Sequence, residues 1–312
     1  MARLTVTVIA FNEERDLAAC LESVRAIADE ILVVDSFSTD GTPAIARSFG
    51  TLVQRPWPGF SAQRNFAAET AQGDWVLQLD ADERVPPALA AEIRALVDAD
   101  RATPTVYYVA RRNLWLGKWI RHGGWYPDLA PRLFRKGAGQ WVGHTHEVFE
   151  YAGAPGRLRH DLLHDNLKSV QEHVMKLAIS TTQEVRDAER KQVRFVWLPP
   201  WGAIRGILGA LLRWPPRIEH LRVAYKEHYK NRFEIVWLIP FAGVTKFLYM
   251  YVVRLGFLDG WEGLWVATLS AAYTQVRYAK LWEHFLRPRA ATAALPTDEE
   301  MRDVYRRWWP SG

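Results

Sequence analysis

The amino-acid sequence predicts an α/β protein built on a doubly wound, mainly parallel sheet. Short apolar and β-branched runs, such as residues 4–10 and 30–35, alternate with segments of helical periodicity, such as 17–26. The connections between these segments are short, as in repeated strand–helix–strand units. An acidic cluster, Asp80-Ala81-Asp82-Glu83, follows the apolar run 75–79. Open α/β sheets bind ligands beyond the carboxyl ends of their strands, so this cluster marks the expected functional edge.

The predicted elements of the first 100 residues follow one another in a regular order. The strand at 30–35 is almost entirely apolar, as parallel strands covered on both faces are. The helix at 17–26 has apolar residues at helical spacing and includes Cys20, which we interpret as a core residue. The other strands are predicted at 4–10, 52–55 and 75–79, and the other helices at 43–49, 61–70 and 88–97.

Composition limits the classes of protein to which this chain can belong. Of its 312 residues 49% are hydrophobic, which excludes a disordered chain. The single cysteine, Cys20, excludes an internal disulfide framework, and the first strand follows Met1 so closely that we expect no secretory signal. A net charge of +5 together with 15 tryptophans favours a nucleic acid or an anionic membrane surface as partner.

Asp80 and Asp82 are the first candidate site residues. They lie two residues apart at the end of a strand, so on an extended backbone both carboxylates point to the same side. Two hard oxygen ligands of this kind suit Mg²⁺ or Mn²⁺, which keep open positions for substrate phosphates. The alternative interpretation of this motif is a solvated acidic turn.

Asp35 ends the second strand and is a candidate for binding a nucleotide base or ribose through hydrogen bonds. The alternative is a helix-capping role, which Thr39 and Asp40 could also fill. No Gly-x-Gly-x-x-Gly segment and no Gly-Lys-Ser/Thr phosphate loop follows any predicted strand. These absences argue against a Rossmann dehydrogenase and a P-loop NTPase.

Three motifs, taken in order, resemble those of family 2 glycosyltransferases with the GT-A fold. They are Val8-Ile9-Ala10-Phe11-Asn12-Glu13-Glu14, Val33-Val34-Asp35-Ser36-Phe37-Ser38-Thr39-Asp40-Gly41-Thr42 and Leu79-Asp80-Ala81-Asp82-Glu83. Other segments resemble one branch of that family, the lipopolysaccharide core β-1,4-glucosyltransferase-like proteins: residues 55–60, 63–65, 122–128, 132–135 and 256–260. Phe37 stands where family members usually have glycine, so we expect the turn near the nucleotide to be altered.

The resemblance implies a role for each residue that matches a family motif. The nucleotide sugar would be bound by Asn12, Glu14, Asp35, Arg64 and Asp80. The divalent cation would be bound by Asp80, Asp82 and His164, with Asp82 as the direct ligand. The acceptor would be bound by His122, Trp125 and Arg132. The alternatives are a solvated helix charge for Arg64, a surface histidine for His164 and a packed aromatic loop around Trp125.

The inverting chemistry of the family needs a carboxylate to take the proton of the acceptor hydroxyl. The acceptor half offers four candidates, Asp128, Glu147, Glu150 and Asp165. Glu147 resembles in its placement the Glu-Asp base motif of family 2 enzymes, although the pair here is His146-Glu147. We therefore expect Glu147 to be the base, with Asp128 as the next candidate.

The chain is expected to divide into three regions. A catalytic domain would cover residues 1–165, with a nucleotide-binding half at 1–100 and an acceptor half at 101–165. A helical, amphipathic region would follow at 166–286, and a tail at 287–312.

The helical region contains two apolar runs, at 195–214 and 235–253, with a basic segment at 218–232 between them. A spanning helix needs ~20 apolar residues, and both runs are interrupted by proline, glycine or a charge. The pattern favours monotopic or re-entrant attachment to the cytoplasmic face of the inner membrane. The alternatives are true spanning helices, and a soluble helical core or oligomer interface.

Together these features predict an inverting, metal-dependent glycosyltransferase that uses Mg²⁺ or Mn²⁺. Its donor would be a nucleoside diphosphate sugar such as a UDP-hexose, and its acceptor a lipid-linked or lipopolysaccharide-type glycan at the membrane. The alternative is a non-catalytic scaffold of the same fold at the membrane surface. Nucleic acid is a less suitable partner, because the basic residues border apolar runs instead of forming a separate arm.

Overall fold

A computed structural model of the protein describes residues 2–143, 147–196, 233–286 and 300. The strands are β1 (Leu4–Ala10), β2 (Glu30–Asp35), β3 (Thr51–Gln54), β4 (Trp75–Asp80), β5 (Glu83–Arg84), β6 (Val106–Trp115), β7 (Lys118–Trp119), β8 (Asp128–Arg135), β9 (Gly139–Val142), β10 (Val148–Tyr151), β11 (Gly156–Arg157), β12 (Leu162–Leu167), β13 (Arg194–Val196) and β14 (Phe233–Ile235).

The described helices are α1 (Leu17–Val24), α2 (Thr42–Phe49), α3 (Phe60–Thr70), α4 (Pro87–Ala99), α5 (Val170–Arg190), α6 (Ala242–Leu248) and α7 (Gly260–Phe285). Around α6 the chain forms a 3₁₀ turn (Val236–Phe241), a π-helical turn (Tyr249–Val253) and a second 3₁₀ turn (Gly256–Asp259). Every strand and helix predicted within residues 4–100 is present, with ends within about two residues of the prediction.

The main sheet contains ten strands, and its principal order is β3-β2-β1-β4-β8-β6-β12-β5. The first four strands are parallel, whereas β8 runs antiparallel to both β4 and β6. The strands β9 and β10 form a separate hairpin, and β13 pairs with β14. The predicted α/β class is therefore confirmed, with a parallel half, β1 to β4, joined to a mixed second half.

The core of the parallel half forms because β1, β2 and β4 consist almost wholly of apolar residues. Leu17 and Leu21 of α1, and Ile93 of α4, are completely or almost completely buried in the main apolar cluster with these strands. Each such side chain contributes roughly 1.5–3 kcal/mol to folding relative to an exposed one. Cys20 belongs to the same cluster and is fully buried, as the helical pattern predicted.

The register of the parallel strands decides which polar groups meet at the functional edge. Ala10 at the end of β1 pairs with Asp35 of β2, and Ile9 pairs with Asp80 of β4. The carboxyl ends of all three strands therefore lie together, as the arrangement of open α/β sheets requires.

The mixed half of the sheet brings a second group of polar residues to the same edge. Arg111 of β6 pairs with Asp128 at the start of β8. His164 of β12 pairs with Asn113 of β6 on one side and with Glu83 of β5 on the other. The short strand β5 thus joins the acidic motif to the far side of the sheet.

The C-terminal helices pack onto the sheet domain instead of forming a separate body. Trp115 and Leu167 of the sheet share an apolar cluster with Met250, Val266 and Ala267 of the C-terminal segment. Strand β12 continues to Leu167, two residues beyond the predicted boundary at 165. The boundary between catalytic and helical regions therefore crosses a common core.

No helix in the described part of the chain is long and apolar enough to cross a membrane alone. One pair of helical segments, Ile239–Val253 with Gly256–Phe285, passes that test together but is bent by 71°. Most of the predicted apolar run 195–214, the basic segment 218–232 and nearly all of the tail 287–312 lie outside the described residues.

Candidate active site

The loop after β2 is organised by the buried carboxylate of Asp35. Its Oδ2 accepts hydrogen bonds from the Ser38 amide at 3.0 Å and from Gln54 Nε2 at 2.8 Å. Asn12 holds the same loop from β1, since its Oδ1 accepts from the Thr39 amide at 2.9 Å. Asp35 makes no capping bond to α2, whose first residue follows Gly41. Asp35 and Asn12 therefore shape one loop at the expected nucleotide edge.

Phe37 in this loop adopts a backbone conformation that glycine favours. Its φ is +58°, in the left-handed region, and its ring is 53% exposed. A side chain in that region costs roughly 1–2 kcal/mol relative to the right-handed conformation. The positive φ explains why the family position usually holds glycine.

Glu14 and its neighbour Glu13 connect β1 to the start of α2. Glu14 Oε2 accepts from the Gly41 amide at 2.6 Å, and the Glu13 amide donates to Thr42 Oγ1 at 2.7 Å. Burial, and then the nearby carboxylates of Asp82 and Asp16, raise the pKa of Glu13 to about 8. The predicted nucleotide residue Glu14 thus bonds to the loop, and Glu13 faces the acidic motif.

Asp80 lies between two buried arginines. Arg64 Nη2 is 2.5 Å from Asp80 Oδ1, and Arg132 Nη2 is 2.5 Å from Asp80 Oδ2. Although burial alone would raise it, Arg132, Arg64 and Arg111 hold the pKa of Asp80 well below its usual range. Both oxygens of this carboxylate are therefore engaged by cationic side chains.

Glu83 belongs to the same cluster and is fully buried. Its Oε1 is 2.6 Å from Arg132 Nη2 and 3.4 Å from Arg111 Nη1. Its Oε2 accepts from the Asp80 amide at 3.1 Å. Arg132, predicted to bind the acceptor, is 3% exposed and bridges the two carboxylates of Asp80 and Glu83.

Asp82 faces His164, as the sequence analysis proposed for the metal site. His164 Nε2 is 3.6 Å from Asp82 Oδ1. Burial raises the pKa of Asp82, and the neighbouring Asp80 and Glu83 carboxylates raise it further. His164 opposes these effects only in part. A carboxylate in this environment is one that a bound cation would stabilise.

The tautomer of His164 follows from its contact with Asn113. The amide nitrogen Nδ2 of Asn113 donates to Trp125 O and Asp128 Oδ2, both at 3.1 Å, which fixes the orientation of the amide. Asn113 Oδ1 must then accept from His164 Nδ1, at 2.6 Å. In the neutral ring the lone pair lies on Nε2, toward Asp82, which is the form that binds metals.

The donor set fits a cation that is completed by substrate oxygens. Asp82 and His164 would supply two ligands, and Asp80 is held by Arg64 and Arg132. Within the described residues, no group of three or more histidine, cysteine, aspartate and glutamate side chains could hold a metal ion. Mg²⁺ is commonly held in this way, by one or two carboxylates together with the phosphates of a substrate.

Asp128 belongs to the same polar network. Arg111 Nη2 is 2.7 Å from Asp128 Oδ2, the oxygen that also accepts from Asn113 Nδ2. Its side chain is 34% exposed. Glu147, the first candidate for the base, follows His144 and His146, which lie outside the described residues.

The predicted acceptor loop is built on the C-terminal segment. His122 Nδ1 is 2.9 Å from Asp259 Oδ1, and the His122 amide donates to Asp259 Oδ2 at 2.8 Å. The Gly123 amide donates to the Arg254 carbonyl at 2.9 Å. Trp125 packs at 6.5 Å, ring centroid to ring centroid, from His173 of α5.

Sequence comparison identifies the family to which the chain belongs. A family model described as "Glycosyl transferase family 2" matches residues 5–152. A lipopolysaccharide core biosynthesis glycosyltransferase, LpsC of Rhizobium meliloti, is 31% identical over 216 residues, which cover 63% of this chain and 77% of the relative. The chain belongs to glycosyl transferase family 2.

Other similarities to this glycosyltransferase are shorter or more distant. An uncharacterized glycosyltransferase of Rickettsia typhi is 40% identical over 94 residues, so the match covers 30% of this chain and about a third, 32%, of that relative. The solved mannosyltransferase PcManGT of Pyrobaculum calidifontis, in complex with GDP-Man and Mn²⁺, is 19% identical. The match covers 88% of this chain and 87% of the mannosyltransferase, with a TM-score of 0.44.

Four residues of this glycosyltransferase site were not predicted from the sequence: Glu83, Arg111, Asn113 and Asp259. Arg111 and Asn113 lie two apart on a strand, so a shared face could have been inferred from their spacing. Glu83 lies in the acidic cluster and Asp259 in the segment 256–260, but their contacts with Arg132 and His122 come from pairings that are distant in sequence, so the sequence assigned them no role.

Proposed function

We propose that this glycosyltransferase is an inverting, metal-dependent hexosyltransferase. Its donor is a UDP-hexose, and its acceptor is a lipopolysaccharide-type or lipid-linked glycan at the membrane. The observation that carries the proposal is the pairing of Asp82 with His164 beside the cationic pair Arg64 and Arg132. The proposed ligands of the divalent cation thus lie next to hydrogen-bond donors that suit a diphosphate.

Asp35, Asn12 and Arg64 form the proposed nucleotide site. The loop that Asp35 and Asn12 hold together lies at the carboxyl ends of β1 and β2, where nucleotides bind in α/β sheets. Arg64 Nε and Nη1 are buried and have no hydrogen-bond partner among the described residues. Buried donors are rarely left unpaired, so a pyrophosphate oxygen is a suitable partner for them.

Asp82 and His164 would hold the cation, either Mg²⁺ or Mn²⁺. When bound there, such a cation neutralises the charge that develops on a diphosphate leaving group. Neighbouring residues hold the site in position. Asn113 orients the His164 ring, and Arg132 holds the Asp80 carboxylate in place. Arg64 and Arg132 keep Asp80 ionised, so its negative charge offsets part of their positive charge.

The base that takes the acceptor proton is proposed from two carboxylates, Asp128 and Glu147. The contacts of Asp128 with Arg111 and Asn113 place it in the network that contains His164, and both contacts use the same oxygen, Oδ2. That geometry favours Asp128, whereas the motif resemblance favours Glu147. A carboxylate in this position accepts the hydroxyl proton as the new glycosidic bond forms.

The acceptor is proposed to approach the loop that contains His122 and Trp125. This loop offers an imidazole and an indole, groups that can contact sugar hydroxyls and sugar faces. The name of the Rhizobium relative supports a lipopolysaccharide core glycan as the class of acceptor. A lipid-bearing acceptor agrees with a position of the enzyme at the cytoplasmic face of the inner membrane.

The proposal is tested by measuring UDP release from a panel of UDP-hexoses with Mn²⁺, with Mg²⁺ and with EDTA. We expect turnover only with a divalent cation, and a loss of about 100-fold or more in Asp82→Asn with an unchanged melting temperature. Asp98→Asn, which changes an exposed aspartate of α4, is the matched control. Turnover of wild type that persists in EDTA would show that the metal assignment is wrong.

Paired variants decide between the two bases. Asp128→Asn and Glu147→Gln should both keep donor binding by calorimetry. The variant that lacks the base should lose about 10²–10⁴-fold in transfer rate, the usual contribution of a general base. Normal transfer in both variants would exclude both residues from that role.

A further inference from the structure

The segment 241–265 presents many large apolar side chains to solvent. Eleven large apolar side chains in this segment are exposed: Phe241, Val244, Leu248, Tyr249, Val252, Val253, Leu255, Phe257, Leu258, Trp261 and Trp265. The highest exposures are 75% for Trp261 and 66% for Val253. On most protein surfaces exposed large apolar side chains are scattered singly. A dense group of them within one segment therefore marks an interaction site. We call this set of residues the apolar face.

From residue 241 to residue 258 the charges along the apolar face are positive, and the two acids of the segment, Asp259 and Glu262, contact His122 and Lys118. Between Glu234 and Asp259 the chain contains Lys246 and Arg254 and no acidic residue. Both cations are half-buried at the edge of the exposed apolar groups. Tryptophan with flanking lysine and arginine is the composition found at the boundary between hydrocarbon and lipid headgroups. The complementary partner is an anionic lipid surface.

The helical geometry sets how deep this segment can enter a bilayer. From Ala242 to Val253 the chain is helical over α6 and the π-helical turn. These residues span about 18 Å at a rise of about 1.5 Å each, whereas a hydrocarbon core is about 30 Å thick. The following helix α7 turns away, bent by 71°, and packs on α5. A segment of this shape fits within one leaflet.

The apolar face is joined directly to the acceptor loop. Asp259, at the end of the segment, accepts from the amides of Arg121 and His122 and contacts His122 Nδ1. Lys118 Nζ donates to the Asp259 carbonyl at 2.9 Å and to Glu262 at 2.8 Å. The acceptor loop is therefore attached to the 3₁₀ turn that lies between Val253 and Trp261 in the chain.

We propose that the apolar face enters one leaflet of an anionic membrane, and that Asp259 thereby holds the acceptor loop at the lipid surface. The inference rests on the proposed function for the meaning of the acceptor loop, and it adds the surface and the partner. A lipid-linked acceptor would then meet the loop at the depth of its own headgroup.

The first test measures binding to vesicles of phosphatidylglycerol and phosphatidylethanolamine by sedimentation. Val253→Glu should need at least about tenfold more lipid for half-binding, since a carboxylate opposes both insertion and anionic headgroups. Val148→Glu is the matched control, because Val148 is 59% exposed and lies on β10, outside the apolar face. Equal loss in both variants, or no loss in either, would overturn the proposal.

A fluorescent label distinguishes insertion from surface attraction. The protein has one cysteine, Cys20, which is buried, so Val253→Cys and Val148→Cys can each be labelled with an environment-sensitive dye. Vesicles should shift the emission to the blue at position 253 and not at 148, and the shift should persist in about 1 M salt. A shift that salt abolishes would reduce the contact to electrostatics and contradict insertion.

A second copy of the chain is the competing occupant of this surface. It would give a dye shift at position 253 without lipid, together with a mass by light scattering that rises with protein concentration. Either result without vesicle binding would overturn the lipid assignment. UDP-hexose hydrolysis in lipid-free buffer is measured in parallel and should be the same in Val253→Glu and wild type. Its absence in wild type would contradict the proposed function and leave the vesicle result unaffected.

The role of Asp259 as a positioning residue has its own readout. Asp259→Ala should keep vesicle binding but increase hydrogen exchange at the amides of residues 121–123, which lose their acceptors or neighbouring contacts. Asp259→Asn keeps an acceptor oxygen and should restore part of the protection. Unchanged exchange in Asp259→Ala would show that the loop does not depend on its hydrogen bonds to Asp259.

Discussion

At the scale of single residues, the acidic motif contains two aspartates in opposite environments. Asp80 is held between Arg64 and Arg132, and its pKa lies well below the usual range despite burial. Asp82 faces His164, and burial raises its pKa. One strand end therefore supplies a carboxylate held between two arginines and, two residues later, a carboxylate beside a histidine.

Arg132 is predicted to stabilise the fold by compensating Asp80 and Glu83. Arg132→Met should lower the free energy of unfolding by at most about 3–5 kcal/mol, because Asp80 and Glu83 each lose one cationic partner and keep only Arg64 and Arg111. Urea unfolding measures this loss. Arg25→Met changes an exposed arginine that contacts exposed Glu22 and lies 5.9 Å from the Phe49 ring, and it should change the stability little. Wild-type stability with a raised KM for acceptor would instead support the acceptor-binding role expected from the sequence.

Glu13 is predicted to give the apoprotein a pH-dependent stability. Its pKa is raised by burial from 4.5 to about 8, so the folded protein keeps the proton and the unfolded chain releases it at lower pH. The free energy of unfolding should therefore fall as pH rises from about 4.5 to about 8.

The check on Glu13 is a comparison of melting temperatures across that range in EDTA. Glu13→Gln removes the titrating group, so the wild type should lose stability relative to this variant as pH rises. The difference should level off above about pH 8, where Glu13 is ionised in both states. A difference that does not vary with pH would contradict the raised pKa.

At the scale of elements, the C-terminal part of α7 is attached to α5. Val185 and Ala188 of α5 pack with Leu281 of α7, which is fully buried. Lys280 Nζ donates to the Ala178 carbonyl at 2.8 Å and to Thr182 Oγ1 at 2.7 Å. Apolar and polar contacts therefore fix the same turn of α7 against α5.

Leu281→Ala tests the strength of this contact. We expect a loss of about 2–5 kcal/mol in the free energy of unfolding, from lost burial and the cavity left behind. The adjacent Trp282→Ala, at a side chain that is 48% exposed, should cost much less although it removes more atoms. Chemical denaturation measures both, and a larger effect at Trp282 would contradict the packing described.

At the scale of the whole molecule, the sheet domain and the C-terminal segment form one core. Trp115, Ile120 and Leu167 are at most 6% exposed, and they share a cluster with Met250 and Val266. Asp259 completes the hydrogen bonding of the acceptor loop from the same side. The C-terminal segment that carries the apolar face is therefore packed and hydrogen-bonded to the sheet domain.

This common core predicts the behaviour of a truncated chain. A fragment that ends at residue 168 exposes Trp115, Ile120 and Leu167, at a cost of roughly 1.5–3 kcal/mol for each large side chain. We expect the fragment to bind the dye ANS and to unfold without a sharp transition, as measured by circular dichroism and fluorescence. A fragment that unfolds cooperatively and binds UDP would show that the sheet domain is independent.

The sequence by itself determined the elements of the parallel half and the edge at which the site lies. Most residues of β1, β2 and β4 are apolar, and their helices have apolar residues at helical spacing, so each element is encoded within its own ten or so residues. The connections then impose parallel pairing and bring Asp35 and Asp80 to one edge. The position of Asp82 followed from the same local pattern.

Only the tertiary structure decided which partners these residues meet. The contact of Asp82 with His164 depends on pairing between β5 and β12, and His122 meets Asp259 across 137 positions of sequence. Such pairings arise from the packing of whole elements, and no periodicity within one segment records them. The same reason applies to Arg132: the resemblance implied that it binds the acceptor, and the antiparallel strand β8 brings its buried side chain to Asp80.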